Sequence, residues 1–235
     1  MNYLSLTSIP LFTGISGEDL ALILDRVDLI DIDLSPGEVF VQQGDVSHGM
    51  AILRDGTIQR YYSHKGINFK NARKQEVPIC FKVKESINKP IILEPEVLFG
   101  LDHKHQNSWQ AETSCHLTLI SKDDIRKTLM YVPVWRINFI NMLCTKLQRS
   151  LKEGLPKTTE NNRKRSAEFF YKLTSTHGTA LTIDITLEMM AETLGIDRRT
   201  LQKDLKIMEE EKVITKEKKR IIVPDIDKLK QFINE

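Results

Sequence analysis

The chain has 235 residues, 40% of them hydrophobic and 28% charged, which describes a globular protein long enough for two domains, each with its own core. No run of about 18 apolar residues occurs, and Met1-Asn-Tyr-Leu-Ser-Leu lacks the basic flank and small-residue cleavage site of a secretory signal, so a cytoplasmic protein with no membrane partner is expected. A formal net charge of +2 removes bulk electrostatics as an argument for nucleic acid, and Cys80, Cys115 and Cys144, far apart and without a CxxC pair, argue against a disulfide scaffold, a structural zinc site and an iron–sulfur cluster.

Pro10 to Ile15 reads as a loop, after which Ser16 caps a short helix running to about Val27. Val27–Asp33 then alternates in part, Ser35-Pro-Gly-Glu38 is a turn, Val39–Val41 is a strand, and Gly49–Leu53 is another. Arg54-Asp-Gly56 is a hairpin turn with Thr57–Tyr62 as its return. Short strands with turn signals every dozen residues or so predict a sandwich or barrel. Between Ser63 and Pro90 the pattern turns polar, with strands placed at Val77–Val83 and Pro90–Leu93. Glu96–Gly100 is an apolar run ended by glycine, and Thr113–Ile120 closes the sheet.

Ser121 caps a helix, Asp123–Tyr131, which Pro133 separates from a longer one, Val134–Glu153. In the longer helix Phe139, Ile140, Leu143, Leu147 and Leu151 form a stripe that can lie on its own sheet or pair with a second copy; the pattern alone leaves both open. Gly154 and Pro156 stop it, and Lys157–Asn162 reads as a polar hinge. From Arg163 a new helix carries Ala167, Phe169, Phe170 and Leu173 on its apolar side, and Asp225 caps a last helix, Ile226–Ile233.

The stretch Thr186–Glu210 reads as two helices around a tight turn. Thr186 caps the first, whose Leu187, Met190, Ala191 and Leu194 recur at helical spacing, and Gly195 ends it. Asp197 caps the second. Its Leu201, Leu205 and Met208 face inward, leaving Arg198, Arg199, Gln202, Lys203 and Lys206 outside, a basic and amide-bearing face suited to the DNA major groove. Val213–Val223, two β-branched runs around Lys218, Lys219 and Arg220, reads as a wing. The bland alternative is a helical hairpin with a solvated charged face, and what weighs against it is the order of the parts: capped helix, glycine turn, basic helix, basic hairpin.

This order resembles the CRP/FNR family of bacterial transcription regulators over nearly the whole chain. The resemblance rests on Pro-Gly37-Glu-Val-Phe, Gln-Gly44-Asp, Asp-Gly56-Thr-Ile and Phe99-Gly100, and more specifically on Ala191-x-x-Leu194-Gly195-Ile-x-Arg-x-Thr200-Leu-x-Lys-x-Leu205. It implies an α+β fold: an N-terminal double-stranded β-helix (β-roll) over 1–121, connecting and dimerisation helices over 122–156, and a winged helix-turn-helix over 157–235. It also implies a homodimer joined through Phe139, Ile140, Leu143, Leu147 and Leu151, a near-palindromic double-stranded operator, and RNA polymerase as a candidate partner. DNA contacts are expected from Arg198, Arg199, Thr200, Gln202, Lys203 and Lys206, and from Lys216, Lys218, Lys219 and Arg220 of the wing.

The departures from the family pattern carry expectations too. Members that bind cyclic AMP follow Phe-Gly with a glutamate and then an arginine beside serine or threonine. Here Leu101 stands in the glutamate's place and Lys104–Ser108 offers no such pair, so no cyclic nucleotide is expected in the usual mode. The cofactor stays unknown. Haem ligation by His103, His105, His116 or Cys115 is outweighed by a reading in which His103-Lys-His105 is a solvated loop. Arg199 stands where many members carry glutamate, so the operator is expected to differ from theirs. Ser63–Pro90, longer than the family's usual hairpin connection, is read as a lid, a partner surface or a plain insertion. A ligand-binding or protein-interaction module, with the winged helix touching protein, is the rival function. No enzyme motif rises above background.

Overall fold

The computed structural model describes residues 6, 9–70, 76–154, 162–175 and 177–234. In chain order the elements are α1 (Gly17–Leu24), β1 (Leu29–Leu34), β2 (Val39–Val41), β3 (Gly49–Asp55), β4 (Ile58–Lys70), β5 (Glu76–Ile87), β6 (Ile91–Leu93), β7 (Ser108–Ala111), β8 (Cys115–Ser121), α2 (Lys122–Lys127) and α3 (Pro133–Gly154). They continue with α4 (Asn162–Lys172), β9 (Ala180–Asp184), α5 (Leu187–Leu194), α6 (Arg198–Glu210), β10 (Thr215–Glu217), β11 (Arg220–Val223) and α7 (Ile226–Asn234). The chain divides into two compact units: Met1–Ile58 with Asn88–Pro156, and Gln59–Ile87 with Lys157–Glu235. No helix among the described residues is long and apolar enough to cross a membrane.

The first unit is β-rich. Its four-stranded antiparallel sheet runs β1-β8-β3-β6, and β2 pairs with β7. The turn after β3 requires Gly56: its φ is +93°, and a Cβ there would lie 2.2 Å from the Ser114 carbonyl oxygen. Met50, Ile52 and Ile120 of the sheet, Leu20 and Leu24 of α1, and Trp135 and Phe139 of α3 share one core. The helix expected over Asp123–Tyr131 is broken: α2 ends at Lys127, Thr128 leaves helical geometry, and a 3₁₀ turn covers Leu129–Tyr131.

α3 divides its apolar residues between two faces, which corrects the single stripe expected of it. Phe139 is only 4% exposed and stacks on Trp135 with ring centroids 5.3 Å apart, and Leu143 packs on the same core. Phe139 is therefore spent inside its own unit. The face left open carries Ile137, Ile140, Cys144, Leu147 and Leu151, all exposed, at the alternating three- and four-residue steps of a coiled-coil seam.

The second unit joins the segment Gln59–Ile87 to the chain from Lys157 onward. Its strands lie in the order β10-β11-β9-β5-β4. β9, absent from the sequence reading, is the hub: β11 pairs with it antiparallel on one side and β5 antiparallel on the other, Lys82 opposite Asp184 and Ser86 opposite Ala180. Phe81 and Val83 of β5 enter the core with Phe170 of α4, Ile183 of β9, Met190 of α5 and Leu201 of α6, and Phe81 meets Phe169 edge-on at 5.9 Å.

A polar lock holds the base of the hairpin. Arg60 pairs with the fully buried Glu85 carboxylate at 2.8 Å, donates to the Leu173 carbonyl at 3.0 Å and lies over the Tyr62 ring. The second Glu85 oxygen accepts from the Ser175 backbone N–H, and Tyr62 donates to the same Leu173 carbonyl. Gly178 leaves room for this carboxylate, since a Cβ there would lie 1.9 Å from Glu85 Oε1. The hinge expected at Lys157–Asn162 lies, apart from Asn162, outside the described residues.

Candidate nucleic-acid interface

The interface is assembled from local rules. Thr186 accepts the Met189 N–H at 3.2 Å and so starts α5; replacing it with alanine is expected to cost about 1 kcal/mol of stability, read as a shift in a urea midpoint. Gly195 ends α5 at φ 60° and ψ 37°, and the Ile196 N–H reaches back to the Ala191 carbonyl at 3.0 Å. Ile196 fills the angle between the helices at 6% exposure. Asp197 then caps α6, accepting from Arg199 N–H at 2.9 Å and Thr200 N–H at 3.1 Å. These amides, Thr200's foremost, with the Arg199 charge, hold the Asp197 carboxyl below its usual range.

α6 separates its faces cleanly. Leu201, Leu205 and Met208 are fully buried, Thr200 is half-buried, and Arg198, Arg199, Gln202, Lys203 and Lys206 are exposed along one surface. Lys206 forms a loose, largely exposed ion pair with Glu210 at 3.6 Å, which contributes little.

The wing is less uniform than its sequence. Lys218 and Lys219 stand exposed at the β10–β11 turn, while Lys216 is half-buried and its backbone N–H donates to Glu209. Arg220 is not a free cation: Asp184, its cross-strand partner, holds it at 2.6 Å, with Glu217 at 4.0 Å, and the Asp184 hydrogen bond raises the guanidinium pKa further. Sequence reading missed Asp184 because the strand that carries it went unrecognised. It also missed Lys212, which ends α6 with φ 57°, a conformation usually left to glycine. Lys212→Gly is accordingly expected to raise the melting temperature slightly, by relief worth about 1 kcal/mol at most.

Residues 164–232 match the family model for the Crp-like helix-turn-helix domain. The chain carries a Crp-like helix-turn-helix domain. Through that domain it is a DNA-binding transcription regulator, and α5, α6 and the β10–β11 wing all lie inside the matched segment. No curated protein matches the chain. Among solved structures, the catabolite activator protein of Thermus thermophilus is 18% identical with 96% of this chain and 98% of that one covered, TM-score 0.47. A putative regulator of the crp/fnr family from Eubacterium rectale is 18% identical, 96% and 98% covered, TM-score 0.44. The sensor domain of the regulator DNR from Pseudomonas aeruginosa is 17% identical, 67% and 99% covered, TM-score 0.47.

Ahead of the Crp-like domain, the histidines expected in a solvated loop are engaged. His105 is 6% exposed and bonded to the buried Glu94 at 2.7 Å, and His103 meets the Val97 carbonyl at 3.2 Å. Burial pushes the Glu94 carboxyl up, but donors from His105, Asn107 and Trp109 outweigh it and hold the group below its usual range. Cys115 is buried with its thiol directed at the Thr57 carbonyl, and burial raises its pKa. No cluster of three metal-ligating side chains occurs among the described residues.

Proposed function

We propose that the chain is a homodimeric, sequence-specific regulator in which α6 reads base edges in the major groove, the wing lysines neutralise phosphates, and cyclic AMP is not the effector. The observation that carries this reading is the exposed face of α6: five polar side chains aligned on one surface of a helix whose other surface is wholly buried in the Crp-like domain. Arg198, Arg199 and Gln202 have the donors for bidentate contacts to guanine and adenine. A near-palindromic operator follows from two-fold symmetry.

The seam Ile137, Ile140, Cys144, Leu147 and Leu151 supports the dimer, because an exposed apolar stripe at this spacing is stabilised by burial against its own copy. Leu147→Glu is expected to give a monomer by analytical ultracentrifugation. In a Cys80→Ser background mild oxidation should cross-link parallel helices through Cys144; absence of the cross-link together with a monomeric wild type would reject the dimer. Against cyclic AMP stand the fully exposed Leu101 in the glutamate's place and the segment Lys104–Ser108, which holds no arginine for the cyclic phosphate.

The test is selection of bound duplexes from random DNA, followed by a gel shift across a salt series. Recovery of a two-fold-related motif with strongly salt-dependent affinity is the expected result. A chain that binds no duplex at low salt is using the winged helix for another partner.

A further inference from the structure

We propose that the β4–β5 hairpin is a second wing: a basic β-ribbon that contacts the phosphate backbone of the duplex flanking the operator. This rests on the reading above, that the β10–β11 wing faces DNA.

Register places the two hairpins at one end of one sheet. Lys82 of β5 lies opposite Asp184 of β9, and Asp184 lies opposite Arg220, the first residue of β11 after the wing turn. β5 and β11 are both antiparallel to β9, so the chain enters each from the same end. The wing ends one turn past that row, at Lys218 and Lys219. β5 begins at Glu76 and β4 ends at Lys70, so the ribbon continues past the row for about 20 Å at the usual rise of a strand.

Charge identifies what the ribbon fits. Over 65–70 of β4 and 76–84 of β5 the sequence holds Lys65, Lys70, Lys82 and Lys84 against the single acid Glu76, in a chain whose whole net charge is +2. Lys65 and Lys82 are exposed, and neither pairs with an acid among the described residues, since Asp184 beside Lys82 is taken by Arg220. The inward face of β5 is occupied by Phe81, Val83 and Glu85, so the ribbon's base is fixed in the core while Lys65 and Lys82 stay in solvent. Exposed cations on a ribbon anchored in the core match a phosphate backbone, which rewards positive charge regardless of sequence.

The experiment uses the full chain, the selected operator, and the same operator extended by about one helical turn on each side. Wild type is expected to bind the extended duplex several-fold more tightly and with a steeper salt dependence. Lys65→Gln/Lys70→Gln/Lys82→Gln should lose that gain, its slope of log affinity against log salt falling by about 0.9 for each phosphate contact removed, with sequence preference unchanged. The corresponding triple arginine variant should keep both gain and slope. A glutamine variant with wild-type slopes on both duplexes overturns the second wing, while loss of sequence preference in Arg198→Ala would still stand for the helix. A wild type that binds neither duplex overturns both.

Discussion

Arg60→Ala is expected to destabilise the second unit by about 3–5 kcal/mol, measured as a lowered urea midpoint, because it strands a carboxylate that has no other paired cation among the described residues. Glu85 is fully buried and the Arg60 side chain is 18% exposed, so solvent cannot replace the guanidinium. Among the described residues, what would be left to Glu85 is the Ser175 N–H. Arg60 Nη2 makes both contacts, the ion pair with the Glu85 carboxylate and the hydrogen bond to the Leu173 carbonyl. Arg60→Met/Glu85→Met should recover most of the loss, because removing both charges also removes the desolvation penalty. If the double variant were as unstable as the single one, packing of the arginine stem and not the ion pair would hold the hairpin. A loss of this size is a large share of the 5–15 kcal/mol that keeps a typical domain folded, so DNA binding should fail with it.

That lock was invisible in the sequence for a physical reason. Alternation in Phe81, Val83, Glu85 and Ile87 tells which face of β5 is buried, but nothing in the pattern names the strand it pairs with nearly a hundred residues later. A charged Glu85 at an inward position reads as an interruption until Arg60 is seen beside it. The β9 strand carried a usable signal, Leu181, Ile183 and Ile185 at period two, masked by its shortness between two helices.

The helix-turn-helix was legible because its determinants are local: each cap, Thr186 and Asp197, bonds within three residues of itself, and Gly195 fixes the turn without help from elsewhere. α3 shows the intermediate case. Helical periodicity found its apolar residues but could not divide them, since Phe139 and Ile140 are neighbours in sequence and about 100° apart around the axis, one inside and one out.

The second large effect concerns what α6 reads. Arg198→Ala is expected to cut the preference for the selected operator over random duplex by roughly 5- to 150-fold, the 1–3 kcal/mol of a bidentate base contact, while leaving random-duplex affinity nearly intact. Lys219→Ala should instead weaken every duplex alike and lower the salt slope by about 0.9. Arg220→Ala should do less than Lys219→Ala, although an arginine is ordinarily the stronger phosphate ligand, because Asp184 already neutralises it. Asp184→Asn separates these roles further. It removes the negative charge beside the wing and frees Arg220, so overall DNA affinity should rise. Competition binding of the four variants against operator and random DNA decides the assignment: if Arg198→Ala and Lys219→Ala fell in parallel on both, α6 would be an electrostatic anchor and the reading of base edges would have to come from another element.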